Sequence, residues 1–292
     1  MKVKMMNLVN EVDQEEFEAG LLSEQYQVTA KSGKSINLPD CFSGEVRLQM
    51  IRDSVHASRA NRRQPYGHNR HVGRRNPQPG MKHSVEWWGK GRGVARIMRK
   101  TGQSTGAENP HTRGGRRAHG PLVEKDWSMK VNSKVKKQAR NSAIAATADS
   151  DTVANRGHRF SDEVKFPIII DEYVEERDGK KESYDVESLP LTYSTRKFIA
   201  MMEGLGLGDD LKRSKSGRSI RAGKGKMRGR KRRAPKSLLL VVAQKDGLAK
   251  AASNVTGVDV VAAKDLSAEH LAPGGDVGRL TVWTKSAIEA LE

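Results

Sequence analysis

The chain has 292 residues, 36% hydrophobic and 5% aromatic, with a net charge of +18 and a pI near 10.0. That length fills one large domain or two, and the lean apolar content leaves much of the chain outside any core. A single cysteine, Cys41, excludes a disulfide framework, the N-terminus lacks the apolar core of a secretory signal, and no apolar run reaches membrane-spanning length, so a soluble intracellular protein with no membrane partner is expected.

In chain order, residues 2–9 and 26–30 read as short strands, separated by an acidic stretch (Glu11, Asp13, Glu15, Glu16, Glu18), and Ser32-Gly33-Lys34-Ser35 reads as a turn. Ser43 is placed to cap a helix with Glu45 in its first turn. Leu48, Ile51 and Val55 then share one face to about Ala60. Residues 59–117 break every period. They hold fifteen Lys/Arg against two acids (Glu86 and Glu108), with ten Gly, four Pro and the pair Trp87-Trp88. A loop this long inside a domain is uncommon and usually functional or disordered. As an out-and-back excursion it reaches roughly 90 Å. Residues 94–98 read as a short return strand inside it.

A narrow stripe of Val135, Ala139, Ala143 and Ala146 predicts a helix over 132–148 suited to close packing on a sheet. Residues 166–170 read as a buried strand that Pro167 limits to an edge or a strand start. The acidic residues 172–187 read as solvated surface. Ser194 caps a helix carrying Phe198, Met201 and Met202, closed by Gly204. The last third alternates continuous apolar strands (237–243, 258–263, 280–284) with short helices (248–254, 267–271, 286–291). That alternation predicts an α/β fold, a mainly parallel sheet covered by helices. The expected organisation is one domain over 1–292: a globular body of 1–60 and 121–292, an extended loop of 61–120, and a second basic segment of 212–236.

Charge is concentrated rather than spread. Residues 59–117 carry a net +13, residues 212–236 hold thirteen Lys/Arg and no acid for another +13, and the remainder is left at −8. Two concentrated runs on a mildly acidic body point to designated nucleic-acid contacts. The alternative, a solubilising or localising tail, accounts poorly for runs placed inside a folded domain. For the tryptophans, packing within the loop and stacking on unpaired bases are equally open.

Enzymatic motifs fail on spacing. Gly33-Lys34-Ser35 has no glycine five positions before it, and Gly204-Leu205-Gly206-Leu207-Gly208 follows a helix and meets Asp209 where a third glycine belongs. His68, His71, His83, His111 and His119 lack cysteines and paired spacing, so no metal site is expected. No catalytic constellation or cofactor loop emerges, and the reading is not an enzyme.

The string SIRAGKGKMRGRK ending at Lys231 closely resembles the signature of the large-subunit ribosomal protein L-four family, in the branch shared by archaea and eukaryotes. The strings ANRRQPYG from Ala60, GKGRGVAR from Gly89 and RRAHGP from Arg116 resemble successive marks of that family's extended loop. RNSAIAATAD from Arg140 and Asn155-Arg156-Gly157-His158 resemble its archaeal form, and residues 235–243 the strand after its second basic segment. The resemblance implies a cytoplasmic structural constituent of the large ribosomal subunit that binds large-subunit rRNA and supports assembly. It implies rRNA contacts at Arg62, Arg63, Arg74, Arg75, Arg92, Arg96, Arg113, Arg116 and Arg117, and in the second segment at Arg221, Lys224, Lys226, Arg228, Arg230 and Lys231. It also implies a loop tip, between about residues 64 and 85, that helps line the peptide exit tunnel, with His68, Arg70, His71, Arg74, Lys82 and His83 nearest the lumen. There the partners would be the L-twenty-two family protein at the tunnel constriction and, transiently, the nascent peptide. The rival readings are an RNA-modifying enzyme and a general nucleic-acid-binding protein.

Overall fold

Uninterrupted apolar runs require a sheet covered on both faces, and the chain builds one. The computed structural model describes residues 1–11, 27–69, 73, 85–177, 180–189 and 194–291. Most of the acidic stretch that follows Asn10, and the tip residues Arg70, His71, Arg74, Arg75, Lys82 and His83, lie outside the described residues. The main sheet contains β1 (Lys2–Glu11), β2 (Gln27–Asn37), β3 (Ile168–Arg177), β4 (Lys180–Asp185), β5 (Leu239–Val242), β6 (Asp259–Ala262) and β7 (Thr281–Thr284). Their order is β6-β5-β7-β3-β1-β2, with β4 also paired to β3. The central pairings are parallel, whereas β1–β2 and β3–β4 are antiparallel. Along one edge β3 pairs β7 through residues 168–170 and then β4 from Glu172 onward.

The helices are α1 (Leu48–Asn61), α2 (Ser133–Thr147), α3 (Ser150–Asn155), α4 (Ser194–Gly204), α5 (Gly208–Ser216), α6 (Gly247–Ser253), α7 (Ala268–Leu271) and α8 (Lys285–Glu289). Successive strand residues point to opposite faces. Ile168, Ile170, Leu240, Val242 and Val282 therefore pack with Phe198, Met201 and Met202 of α4 and Leu248 of α6. Ile169, Leu239, Val241 and Trp283 pack on the other face with Ile51 and Val55 of α1, Ala139 and Ala143 of α2, and Leu271 of α7. By contact the chain parts into two units, Met1–Ser58 with Lys130–Glu292, and Arg59–Met129. The sheet and its covering helices belong to the first.

Three local expectations change. Ser32-Gly33-Lys34-Ser35 is not a turn but lies inside β2, where the register slips between Lys4↔Ser35 and Met6↔Ser32. The glycine marks a β-bulge, which inserts one extra residue and bends the strand. Ser43 does not cap α1: its hydroxyl donates to the Asp40 carbonyl at 3.1 Å, closing a short 3₁₀ turn. The amide of Arg47, just ahead of α1, donates instead to Ser142 Oγ at 2.6 Å. Pro167 holds to the second of the two places open to it, directly before the start of the central strand β3.

The acidic residues 172–187 are only half solvated. Glu172, Glu182 and Asp185 are exposed, but Glu175 and Glu187 are buried. Glu175 is neutralised by an ion pair with Lys197 and accepts from Tyr173 Oη at 3.2 Å. Strand alternation decides which carboxylates turn inward, and burial then obliges each of them to find a partner.

Candidate nucleic-acid interface

The second basic segment leaves the first unit as a small ribbon. Ser219–Ile220 pairs antiparallel with Arg232–Arg233, and the Arg221 amide donates to the Lys231 carbonyl at 2.9 Å. Between them Lys224–Arg228 forms a 3₁₀ turn flanked by Gly223 (φ 74°) and Gly229 (φ 77°). Those left-handed φ values favour glycine, so the two glycines set the ribbon's turns. Arg221, Lys224, Lys226, Arg228, Arg230 and Lys231 are all exposed. No acid occurs within 212–236, so the ribbon gathers cations with no carboxylate of its own to neutralise them.

Both feet of the ribbon are stapled to the body through Asp210, which is fully buried. Its Oδ1 accepts from His158 Nδ1 at 3.2 Å, the Arg159 amide at 3.1 Å and Arg213 Nε at 2.9 Å. Its Oδ2 accepts from Ser237 Oγ at 2.6 Å. Arg213 also donates to the Lys236 carbonyl at 2.8 Å. Burial pushes the Asp210 carboxyl up, but the bonds from His158, Arg213 and Ser237 outweigh it and hold the group well below the usual carboxylate range.

The second unit, Arg59–Met129, is held by aromatic and cationic side chains. Tyr66 and Trp127 stack with centroids 4.6 Å apart, and the Arg63 guanidinium sits 5.7 Å from the Trp127 ring. His68 donates its amide to the Pro121 carbonyl at 3.0 Å, and its Nδ1 meets the same oxygen at 3.0 Å. Further along, Val85–Trp87 pairs with Met98–Lys100. Arg92 and Arg99 lie over the Trp88 ring at 4.5 and 5.1 Å. Trp88 is thus half-buried under these two guanidinium groups, while Trp87 is 68% exposed.

Arg62, Arg63, Arg92, Arg96, Arg113 and Arg117 are exposed, whereas Arg116 and His68 are half-buried. Stacking on an indole engages a guanidinium's face and not its N–H donors, and this is the contact Arg63 and Arg92 make. Gly120 is required at the base of this unit, where a Cβ would lie 2.3 Å from His68 Nδ1. Gly120→Ala is expected to break the His68–Pro121 side-chain bond, worth ~1 kcal/mol, and to speed trypsin cleavage at Arg62–Arg63 roughly fivefold. Limited proteolysis, with thermal unfolding as the control for the body, checks this.

An open parallel sheet takes ligands in the crevice beyond the carboxyl ends of its strands. Here that position beyond β5 and β7 holds the chain's own Glu187. It accepts from the amides of Ala243 and Gln244 at 2.7 and 3.0 Å, and from Thr284 Oγ1 and Ser286 Oγ, both at 2.6 Å. Burial raises the carboxyl, and these four donors more than reverse the shift. Burial also pushes the Cys41 thiol up, away from the reactive thiolate. Among the described residues no group of three His, Cys, Asp or Glu is placed to hold a metal, and no helix is long and apolar enough to cross a membrane.

Residues 36–292 match the model of the ribosomal protein L4/L1 family. The chain belongs to that family. Curated relatives named large ribosomal subunit protein uL4 include that of Methanococcoides burtonii, 43% identical over 265 residues, which covers 91% of this chain and 95% of the relative. That of Halobacterium salinarum is 41% identical over 255 residues, covering 87% and 92%. That of Archaeoglobus fulgidus is 40% identical over 291 residues, covering 100% and 98%. The chain is of the archaeal type, as its strings implied, and membership makes it a ribosomal structural protein and not an enzyme.

Three groups carry weight that the sequence did not disclose: Asp210 with His158, Glu187 with its four donors, and the buried Arg279. Arg279 donates to the carbonyls of Ser237, Leu238 and His270 and to Asp259 Oδ2 at 2.7 Å. Their partners lie up to 99 residues away in sequence. Only the His158 string carried a signal, through its likeness to the L-four pattern.

Proposed function

We propose that the chain is a constituent of the large ribosomal subunit, in the cytoplasm, and that it binds large-subunit rRNA through two basic surfaces. The observation that carries this is the Ser219–Arg233 ribbon, a glycine-turned hairpin of exposed cations without an acid, in a chain of the L4/L1 family. Lys and Arg on phosphates release counterions, and the resulting binding is strong and salt-dependent. Arg62, Arg63, Arg92, Arg96, Arg113, Arg116 and Arg117 would serve the second surface in the same way, with Arg74 and Arg75 beyond the described residues. The chain would act as one domain whose body of 1–60 and 121–292 presents the ribbon, while the 61–120 loop runs through rRNA. On the same reading the tip, with His68, Arg70, His71, Arg74, Lys82 and His83, reaches the peptide exit tunnel beside the L-twenty-two family protein and the nascent peptide.

Sedimentation of cell extract through a gradient tests the assignment. The chain should travel with large subunits at moderate salt and resist release until high salt. Recovery at the top of the gradient at moderate salt would show the assignment to be wrong. On a finer scale, Lys224→Ala with Arg228→Ala should flatten the salt dependence of rRNA-fragment binding by about 1.5 in log–log slope. An unchanged slope removes both residues from the contact surface.

A further inference from the structure

Beside the returning foot of the ribbon the first unit has a cleft of about 980 Å³, near the upper end of the roughly 300–1,000 Å³ usual for ligand clefts. Arg52, Arg156, Arg213, Arg233 and Lys236 line it, against the carboxylates Asp149 and Asp276. Arg213 is paired with Asp210 and Lys236 with Asp259, but neither Asp149 nor Asp276 cancels the charge of the other three. Asp149 caps α3, accepting from the amides of Asp151 and Thr152, both at 3.3 Å. Asp276 stands 3.9 Å from Arg52 with both side chains more than half exposed, a contact worth at most ~1 kcal/mol.

Arg156 is held by backbone oxygens, donating to the carbonyls of Pro273 and Val277 at 2.8 and 3.3 Å, and the nearby Asp276 carboxylate favours its charged form. The carbonyl bonds orient a guanidinium without neutralising it. Arg156 belongs to the string Asn155-Arg156-Gly157-His158, which the ribbon and the loop do not absorb. Val46 and Leu48 line the same cleft while 40% and 47% exposed. Leu48 was expected in the α1 core stripe. It lies in the first turn of α1, where its side chain forms part of the cleft wall instead.

We propose that this cleft receives an unpaired nucleotide of the RNA strand that follows the ribbon. Its phosphate lies against Arg52 and Arg233, its base or sugar against Val46 and Leu48, and Arg156 supplies fixed charge behind the phosphate. The proposal rests on the rRNA reading above and extends it to a site in the body. Two observations favour RNA over an acidic peptide. Arg233 belongs both to the ribbon and to the cleft, so one strand can follow both. The cations also stand beside an apolar wall, and a nucleotide presents a flat apolar face next to its charge.

The test photo-crosslinks a single-stranded 4-thiouridine hexanucleotide to the full chain and maps the modified peptides. Crosslinks are expected on peptides containing Val46–Leu48 or Pro273–Val277, in addition to the ribbon. Arg52→Ala with Arg233→Ala should reduce the cleft crosslinks at least fivefold and leave those at Lys224–Arg228. Both arginines are exposed, so the variant keeps its fold. Crosslinks confined to the ribbon and to Arg59–Met129 overturn the cleft proposal and leave the rRNA reading standing. Loss of every crosslink to heparin, with no preference for rRNA, overturns the rRNA reading itself. If polyglutamate clears the cleft peptides as well as unlabelled hexanucleotide does, the occupant is an acidic protein segment and the nucleotide assignment is overturned.

Discussion

Changing Arg221, Lys224, Lys226, Arg228, Arg230 and Lys231 together to glutamine is expected to take about 4–5 from the log–log salt slope of rRNA-fragment binding, at 0.7–0.9 per phosphate neutralised. Between roughly 50 and 200 mM salt the wild-type affinity should then fall several hundredfold further than the variant's. The reason is structural. All six side chains are exposed on a ribbon closed by backbone bonds and glycine turns, with no acid in the segment. Among the described residues none of the six side chains bonds to the body, so thermal unfolding should be unchanged. Filter binding of a large-subunit rRNA fragment over a salt series reads the slope. Parallel curves for the two proteins would mean that the ribbon is not a phosphate contact, whatever its charge.

The ribbon was legible in the sequence because its signal is local: cations, glycines and no acids within 212–236. The strands at 239–242 and 281–284 were legible for a similar reason, since a strand buried on both faces is apolar at every position. What sequence reasoning missed depends on partners distant in the chain. Glu175 and Glu187 sit in a charge-rich stretch that reads as solvated, and only Lys197 or the Thr284–Ser286 turn reveals them as buried. Ser43 has the right chemistry for a helix cap, yet Ser142, from α2, supplies the oxygen at the start of α1. Gly33 signals a break, and whether that break is a turn or a bulge is decided by β1 pairing across it.

The same distinction fixes how the basic surface is aimed. Cations along a ribbon attract phosphate in any orientation, but on the rRNA reading proposed above register requires the ribbon to leave the body at a fixed angle, and the bonds of Asp210 to both its feet would supply that constraint. Glu187 performs the matching task at the other end of the sheet, joining the turns after β5 and β7 where an enzyme of this architecture would keep a vacant crevice. The fold thus uses its buried carboxylates to join distant segments, while the cations of the ribbon stay exposed.

Asp210→Ala is expected to cost ~3–5 kcal/mol, as is usual when one partner of a buried charged network is removed. His158, Arg213 and Ser237 would each lose an acceptor, and the Arg159 amide a fourth bond. Urea unfolding at neutral pH measures the loss. The Asp210 carboxyl lies below its unfolded value, so its contribution is complete above about pH 4 and is lost as the pH falls below that. Asp210→Asn should therefore show a shallower decline of stability in acid than the wild type. A constant offset between the two curves on the acid side would assign the effect to shape rather than charge. In RNA binding the Asn variant keeps every ribbon cation, so its salt slope should match the wild type while its affinity falls several-fold. A changed slope would mean that Asp210 tunes the ribbon's charge rather than its direction.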